Sequence, residues 1–112
     1  MLKANTEDYI IELKLLAHHI QEQHGSKLQH VKEPVLLIIE LPSLQKVYFL
    51  ISSEGISYKK ELVETNNRIA IKYVDLMRVV EKPSRIARYI LEGRVKVFGN
   101  YREVLSTLQR MF

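Results

Sequence analysis

Gly93 and Gly99 bracket the run RVKVF and open onto Asn100-Tyr101. Paired glycines ahead of a helix raise the question of a phosphate loop, because backbone N–H groups at a helix start can wrap an anion. The spacing refuses that reading. A P-loop needs G-x-x-x-x-G-K-[ST], with lysine and hydroxyl directly after the second glycine. Here Asn100 and Tyr101 stand in those places, and the strand-like run lies between the glycines instead of before them. Gly93 reads as a helix stop and Gly99 as a strand-to-helix turn.

Other chemistry-bearing residues are equally scattered. His18 and Glu22 are four apart and would share a helix face, but His19 points about 100° away and His24 falls near the helix end. A catalytic zinc site wants three protein ligands, and no HExxH-type spacing supplies them. Cysteine is absent, which removes disulfides and thiolate metal sites. Glu61 and Glu64 flank a turn, Glu7 and Asp8 sit at a helix start, and Asp75 reads as a cap. Ser52, Ser53 and Ser57 lack a histidine at a motif-defining distance and a G-x-S-x-G elbow. The expectation is a protein that is not an enzyme and needs neither metal nor cofactor.

Nucleic-acid binding is the stronger rival. Lys72, Tyr73, Arg94, Lys96 and Phe98 mix basic and aromatic groups on expected strands, as a single-strand binder does. Tyr73, however, shares its face with Ile69 and Ile71, and neither an RNP1 pattern nor a GXXG clamp is present. Nucleic acid is therefore disfavoured as a partner. Charge is nonetheless uneven. From Arg78 onward eight Lys/Arg stand against three acids, in a chain of 112 residues with net charge +4. A basic C-terminal third suits an anionic lipid surface or an acidic partner.

These groups must be held by a small set of elements. With 46% apolar residues the chain can bury one proper core, and residues 1–112 read as one domain. Residues 6–24 form an amphipathic helix, with Thr6 as cap and Gly25 as stop; Ile11 and Leu15 widen its apolar stripe. PVLLIIEL (34–41), continuously apolar, suits a strand covered on both faces. QKVYFLISS (45–53), ISYKKEL (56–62) and RIAIKYV (68–74) follow through short turns, which implies an antiparallel meander. Asp75 then caps one short helix, Pro83-Ser84 starts another with Ile86, Ala87 and Ile90 inward, and RVKVFG is a fifth strand. The last helix, capped by Asn100, carries the stripe Tyr101, Val104, Leu105, Leu108 and Met111. No apolar run approaches the roughly 20 residues a membrane span requires, and the N-terminal stretch lacks the pattern of a secretory leader. A cytoplasmic protein is expected.

With the elements placed, residues 68–112 resemble the sterol carrier protein type 2 (non-specific lipid-transfer) family, in its small stand-alone prokaryotic form. The resemblance rests on the last meander strand, two short helices, a "G-+-h-+-h-x-G-[DN]" strand and a C-terminal amphipathic helix. The signature falls on Gly93, Arg94, Val95, Lys96, Val97, Gly99 and Asn100. It implies an α+β fold with a five-stranded, mainly antiparallel sheet covered by helices, in the order α-β-β-β-β-α-α-β-α. It also implies an apolar tunnel between sheet and helices for a fatty acid, acyl-CoA or sterol-like ligand, held without catalysis. Such a tunnel would be lined by Ile69, Ile71 and Tyr73 on the fourth strand, and by Ile86 and Ile90 on the short helix. Val104, Leu105, Leu108 and Met111 on the last helix, the expected gate, would complete it. Arg78, Lys82, Arg85 and Arg88 would meet an anionic membrane. The alternative is a basic interaction module that docks an acidic protein or nucleic acid and has no cavity; the sequence leaves the oligomeric state open.

Overall fold

The computed structural model describes residues 5–112; the first four residues of the stretch read for a leader lie outside them. Helix α1 spans Thr6–Leu28. Its cap is Asn5, one residue earlier than the sequence implies. The Asn5 carboxamide accepts from the Asp8 N–H at 2.9 Å, and the Asp8 carboxylate accepts from the Asn5 N–H at 3.3 Å, which closes a reciprocal box. Gly25 does not stop the helix. Leu28 is almost fully buried, and that burial carries the helix a turn past the weak glycine position. Ile11 and Leu15 are 56% and 66% exposed, so the inward stripe is narrower than expected and runs through Ile10, Leu13, Ala17 and Ile20.

Strands β1 (Val35–Glu40), β2 (Lys46–Ser52) and β3 (Gly55–Lys59) form an antiparallel meander. Strand β4 (Asn67–Lys72) does not extend it. β4 pairs with β1, in parallel, and the sheet order is β3-β2-β1-β4-β5. β4 passes without a connector into α2 (Tyr73–Glu81); α3 (Arg85–Leu91), β5 (Val95–Phe98) and α4 (Tyr101–Met111) complete the chain. The sheet is thus mixed, and all its other pairings are antiparallel.

The parallel pair explains the connection before it. β3 and β4 point the same way, so residues 60–66 must pass β2 and β1 and return to the opposite end of the sheet. That path is on the order of 20 Å. Seven residues span about 23–25 Å when extended, so this link is long enough to make the crossing without a helix. Leu36 points away from the helices yet has no exposure, and residues 62–66 share a depression with Arg68 on that same face. The link therefore runs over the outer face and covers Leu36, near the start of β1. Ile38 and Glu40 on that face stay half-buried, so β1 is buried on both sides only at its first half.

The inner face packs against α1, over β2 and β3, and α4, over β4 and β5. Leu37 and Ile39 on β1 sit beside Ile69 and Ile71 on β4, and Val95 continues the layer. Val104, Leu108 and Met111 close it from above, so the α4 stripe is core, except that Tyr101 is exposed and Leu105 only half-buried. On α3 the fully buried residue is Tyr89; Ile86 and Ile90 are half-buried and Ala87 is exposed.

One polar junction fastens these layers. Asn67, with no exposure, donates to Glu33 Oε2 at 2.8 Å, and its Oδ1 accepts from the Asn100 N–H at 2.8 Å. Gly99 makes room for it: φ is 93°, and a Cβ there would run into the Asn66 carbonyl oxygen and Asn67 Oδ1. Asn100 caps α4 as expected, accepting from the Glu103 N–H at 3.2 Å. Asn67→Ala is expected to cost about 1–3 kcal/mol, since it strips partners from a buried site. Gly99→Ala is expected to cost a similar amount, about 1–3 kcal/mol, through backbone strain. In urea unfolding the double variant should lose clearly less than the sum, because both changes break one junction. Strict additivity would show that the two residues act separately.

Candidate functional site

Between the two layers lies a seam lined by Leu13, Leu16, Ala17 and Ile20 from α1, Leu37, Ile39, Phe49 and Ile56 from the sheet, Leu76 from α2 and Met111 from α4. Every lining side chain is apolar, and none titrates. Ala17 leaves the gap, since neighbouring inward positions of α1 carry Leu or Ile. The free volume is about 20 Å³. That is room for roughly one water, against the ~300–1,000 Å³ of a typical small-molecule site. The seam is narrow and nearly filled.

Of the residues the sequence reading placed along a tunnel, Met111 lines this seam. Ile69, Val104 and Leu108 are packed solid beneath α4 instead, and Ile71 is buried with its backbone edge on the far side of the sheet. Leu105, Ile86 and Ile90 are half-buried around the core, the last two on α3, which packs beside β5. Tyr73 is not on β4; it is the first residue of α2, because the chain turns helical directly after Lys72. Nor does Asp75 cap that helix. It lies inside the first turn, buried, and pairs with Arg94 Nη1 at 3.3 Å.

The seam residues that the sequence reading did not name come from α1, β1, β2, β3 and α2. Their periodicities are plain, but nothing local says that the longest helix lies across those strands. Around the seam the bonds between layers are few and polar. Gln21 Nε2 donates to the Ile56 carbonyl at 3.1 Å, and the Tyr73 hydroxyl donates to the Glu12 carboxylate. Tyr73 packs edge-on to Tyr9 with ring centroids 4.8 Å apart. Burial first, then the hydrogen bond to Glu12, hold its hydroxyl well above the ordinary tyrosine value.

The remaining sequence candidates are dispersed. His18 Nε2 meets Glu22 at 2.7 Å on the solvent face, and among the described residues no group of three His, Asp or Glu could hold a metal. In the basic surface set, Arg85 Nη1 donates to the Arg78 carbonyl at 3.1 Å and Arg88 pairs with Glu92 at 3.6 Å, while Arg78 and Lys82 are exposed. No described helix is long and apolar enough to cross a membrane.

The tie at Tyr73 gives a pH prediction. A raised folded-state pKa means that the fold favours the neutral hydroxyl, so its stabilisation is full below about pH 10 and is lost as pH rises further. Wild type should exceed Tyr73→Phe by about 1 kcal/mol at neutral pH, with the gap closing in alkali. In an absorbance titration of the six tyrosines, the last to ionise should be missing from the variant. A gap independent of pH would remove Tyr73 from this role.

No protein-family model matches the sequence, and no curated protein matches it significantly. Solved structures do match. Apo sterol carrier protein 2 from Yarrowia lipolytica superposes with a TM-score of 0.71 at 11% identity, over 98% of this chain and 94% of that one. Palmitated SCP2L2 from Aedes aegypti gives 0.62 at 10% identity, over 82% and 90%. A variant sec-alkyl sulfatase from a Pseudomonas species gives 0.62 at 11%, over 95% of this chain but 16% of the enzyme. At such identities the likeness is one of fold. The chain has the sterol-carrier-protein-2 fold that its glycine-bracketed strand and helix order implied.

Proposed function

We propose that this protein is a non-catalytic cytoplasmic carrier that takes a single apolar chain, of the fatty-acyl or sterol type, into the seam between α1 and the sheet. The observation that carries the reading is the wholly apolar lining, without acid, base or nucleophile, at the one layer contact where a small residue leaves a gap. The palmitated relative of the same fold supports an acyl ligand. Uptake requires the layers to part, because about 20 Å³ admits no acyl chain. α4 is pinned at its N-terminal end by Asn67, so the movable boundary is α1 against the Met111 end of α4. This shifts the gate from the whole C-terminal helix to its last turn and the helix facing it. We assign the approach to anionic membranes to Arg78, Lys82, Arg85 and Arg88, a basic run on α2, α3 and their junction.

The test is organic extraction and native mass spectrometry of the purified protein, followed by displacement of a fluorescent fatty acid. Affinity should climb about tenfold for every two methylenes, at ~0.8 kcal/mol each, until the seam is full. Ala17→Phe fills the gap and should weaken binding at least tenfold, at about 1–3 kcal/mol of overpacking. Ile11→Ser, on the exposed face, should leave binding unchanged. A protein that carries no lipid and binds no probe overturns the carrier. Reversal of Arg78 and Lys82 to glutamate should slow delivery to phosphatidylglycerol vesicles without changing probe affinity; unchanged delivery would rule out that surface.

A further inference from the structure

The face of the sheet turned away from the helices has its own organisation. Along β4 the outward residues are Arg68, Ala70 and Lys72, about 7 Å apart. Lys96 on β5 is the register partner of Ala70, and Ile38 on β1 is its partner on the other side. Three long cationic side chains therefore surround one methyl group. All line a single groove of about 710 Å³, within the ~300–1,000 Å³ of small-molecule sites.

The charges in this groove are sorted. At its end Arg94 is committed to Asp75, at 3.3 Å, and to Glu92, at 3.1 Å. That leaves Arg68, Lys72, Lys96 and Lys46 facing one further carboxylate, Glu40. None of these four cations has a carboxylate within ion-pair distance among the described residues. Arg68 is the most exposed to this imbalance, because its Nε is buried with no hydrogen-bond partner. Its guanidinium lies over the Phe98 ring at 5.6 Å, which fixes its plane. Three unpaired cations around one methyl group repel one another, and a compact anion over Ala70 relieves that repulsion while the buried Arg68 Nε leaves the outer guanidinium nitrogens to meet it.

We propose that this groove binds the phosphate or pyrophosphate group of a small soluble molecule, seated over Ala70 between Arg68, Lys72 and Lys96. Arg68 supplies the planar fork that matches a phosphate edge, and the lysines supply point charges. The floor of Ala70 and Ile38 carries no charge, and the nearest unpaired carboxylate, Glu40, stands at the Lys72 side as its register partner. Two larger partners fit less well. A long polyanion or a flat anionic membrane would meet Glu40 beside the cations, whereas a compact dianion stays within the triangle. A base of single-stranded nucleic acid would have to displace the Arg68 guanidinium that already lies over the half-exposed Phe98 ring. The site lies on the opposite face from the apolar seam and stands or falls independently of the carrier reading.

The test is an amide NMR titration of the full chain with sodium pyrophosphate and with inorganic phosphate at low ionic strength, joined by calorimetry. Saturable shifts should centre on Arg68–Lys72 and Val95–Phe98. Lys96→Gln and Arg68→Gln should each weaken binding about tenfold, and Ala70→Glu should abolish it. Lys60→Gln, in the 60–66 link, should change nothing. Lys96 is exposed, so that variant keeps the test valid if Arg68→Gln fails to fold. Absence of saturable shifts overturns the proposal, as does equal affinity in the variants. Binding to phosphatidylglycerol vesicles or to single-stranded DNA through the same residues, with none to pyrophosphate or phosphate, overturns it too.

Discussion

The two hydrogen bonds of one buried carboxamide decide how this chain is assembled. Asn67 begins β4, and its side chain reaches Glu33 in the segment before β1 and the Asn100 N–H at the start of α4. Three stretches distant in sequence are thereby fixed at one corner. A buried amide is costly unless satisfied, so arrangements that lack either partner are penalised. A one-residue slip of β4 would turn Asn67 outward and carry Arg68 into the apolar layer. The junction thus selects both the register of the parallel pair and the seat of the helix whose stripe completes the core. Gly99 is its precondition, since no side chain fits between the two asparagines.

The parallel β1–β4 pair gives the sheet two unlike faces. A parallel neighbour can be reached only by a crossover, and here it is a short extended link instead of a helix. A link of that kind covers Leu36 but leaves most of the outer face open to water. The outward residues of β4 and β5 can then be long and charged, while the inward residues of the sheet are apolar apart from Asn67. The same strand carries Ile69 and Ile71 into the core and Arg68 and Lys72 into a groove. Period-2 alternation is what makes that division possible.

Local patterns disclosed the elements and even the signature strand, because helix stops, caps and alternation are written in neighbouring residues. Gly93, with φ of 78°, and Asn100 do what their types suggest. PVLLIIEL reads correctly as a strand, but it is covered on both sides only around Leu36, since Ile38 and Glu40 face the open groove. What the pattern does not contain is the choice of neighbour. Thr65-Asn66-Asn67 looks like a tight turn; in fact Asn67 is the first paired residue of β4, after a link that has crossed the sheet. Tyr73 and Val74 continue the alternation of β4, yet the chain is already helical there, so periodicity alone misplaces them. The seam was missed for the same reason. Ile69, Ile71 and Leu108 have the right chemistry for a lining, but α4 is clamped tightly over them, and the looser contact is the one beneath α1.

That difference in tightness is what the carrier proposed above would use. Beneath α4 the packing is fixed by a polar junction that cannot shift without exposing unpaired groups. Beneath α1, apart from apolar contact, the ties to the sheet and to α2 among the described residues are the Gln21–Ile56 and Tyr73–Glu12 bonds and Lys14 over the Tyr58 ring. Bonds of that kind are worth about 0.5–1.5 kcal/mol each and are readily replaced by water when a layer lifts. Apolar contact is non-directional, so in the proposed carrier an acyl chain inserted there would restore what the parted layers lose. A core pinned everywhere by polar junctions could not make that exchange. Here the pinned corner at Asn67 lies away from the seam, so the register of the sheet would survive the parting of α1.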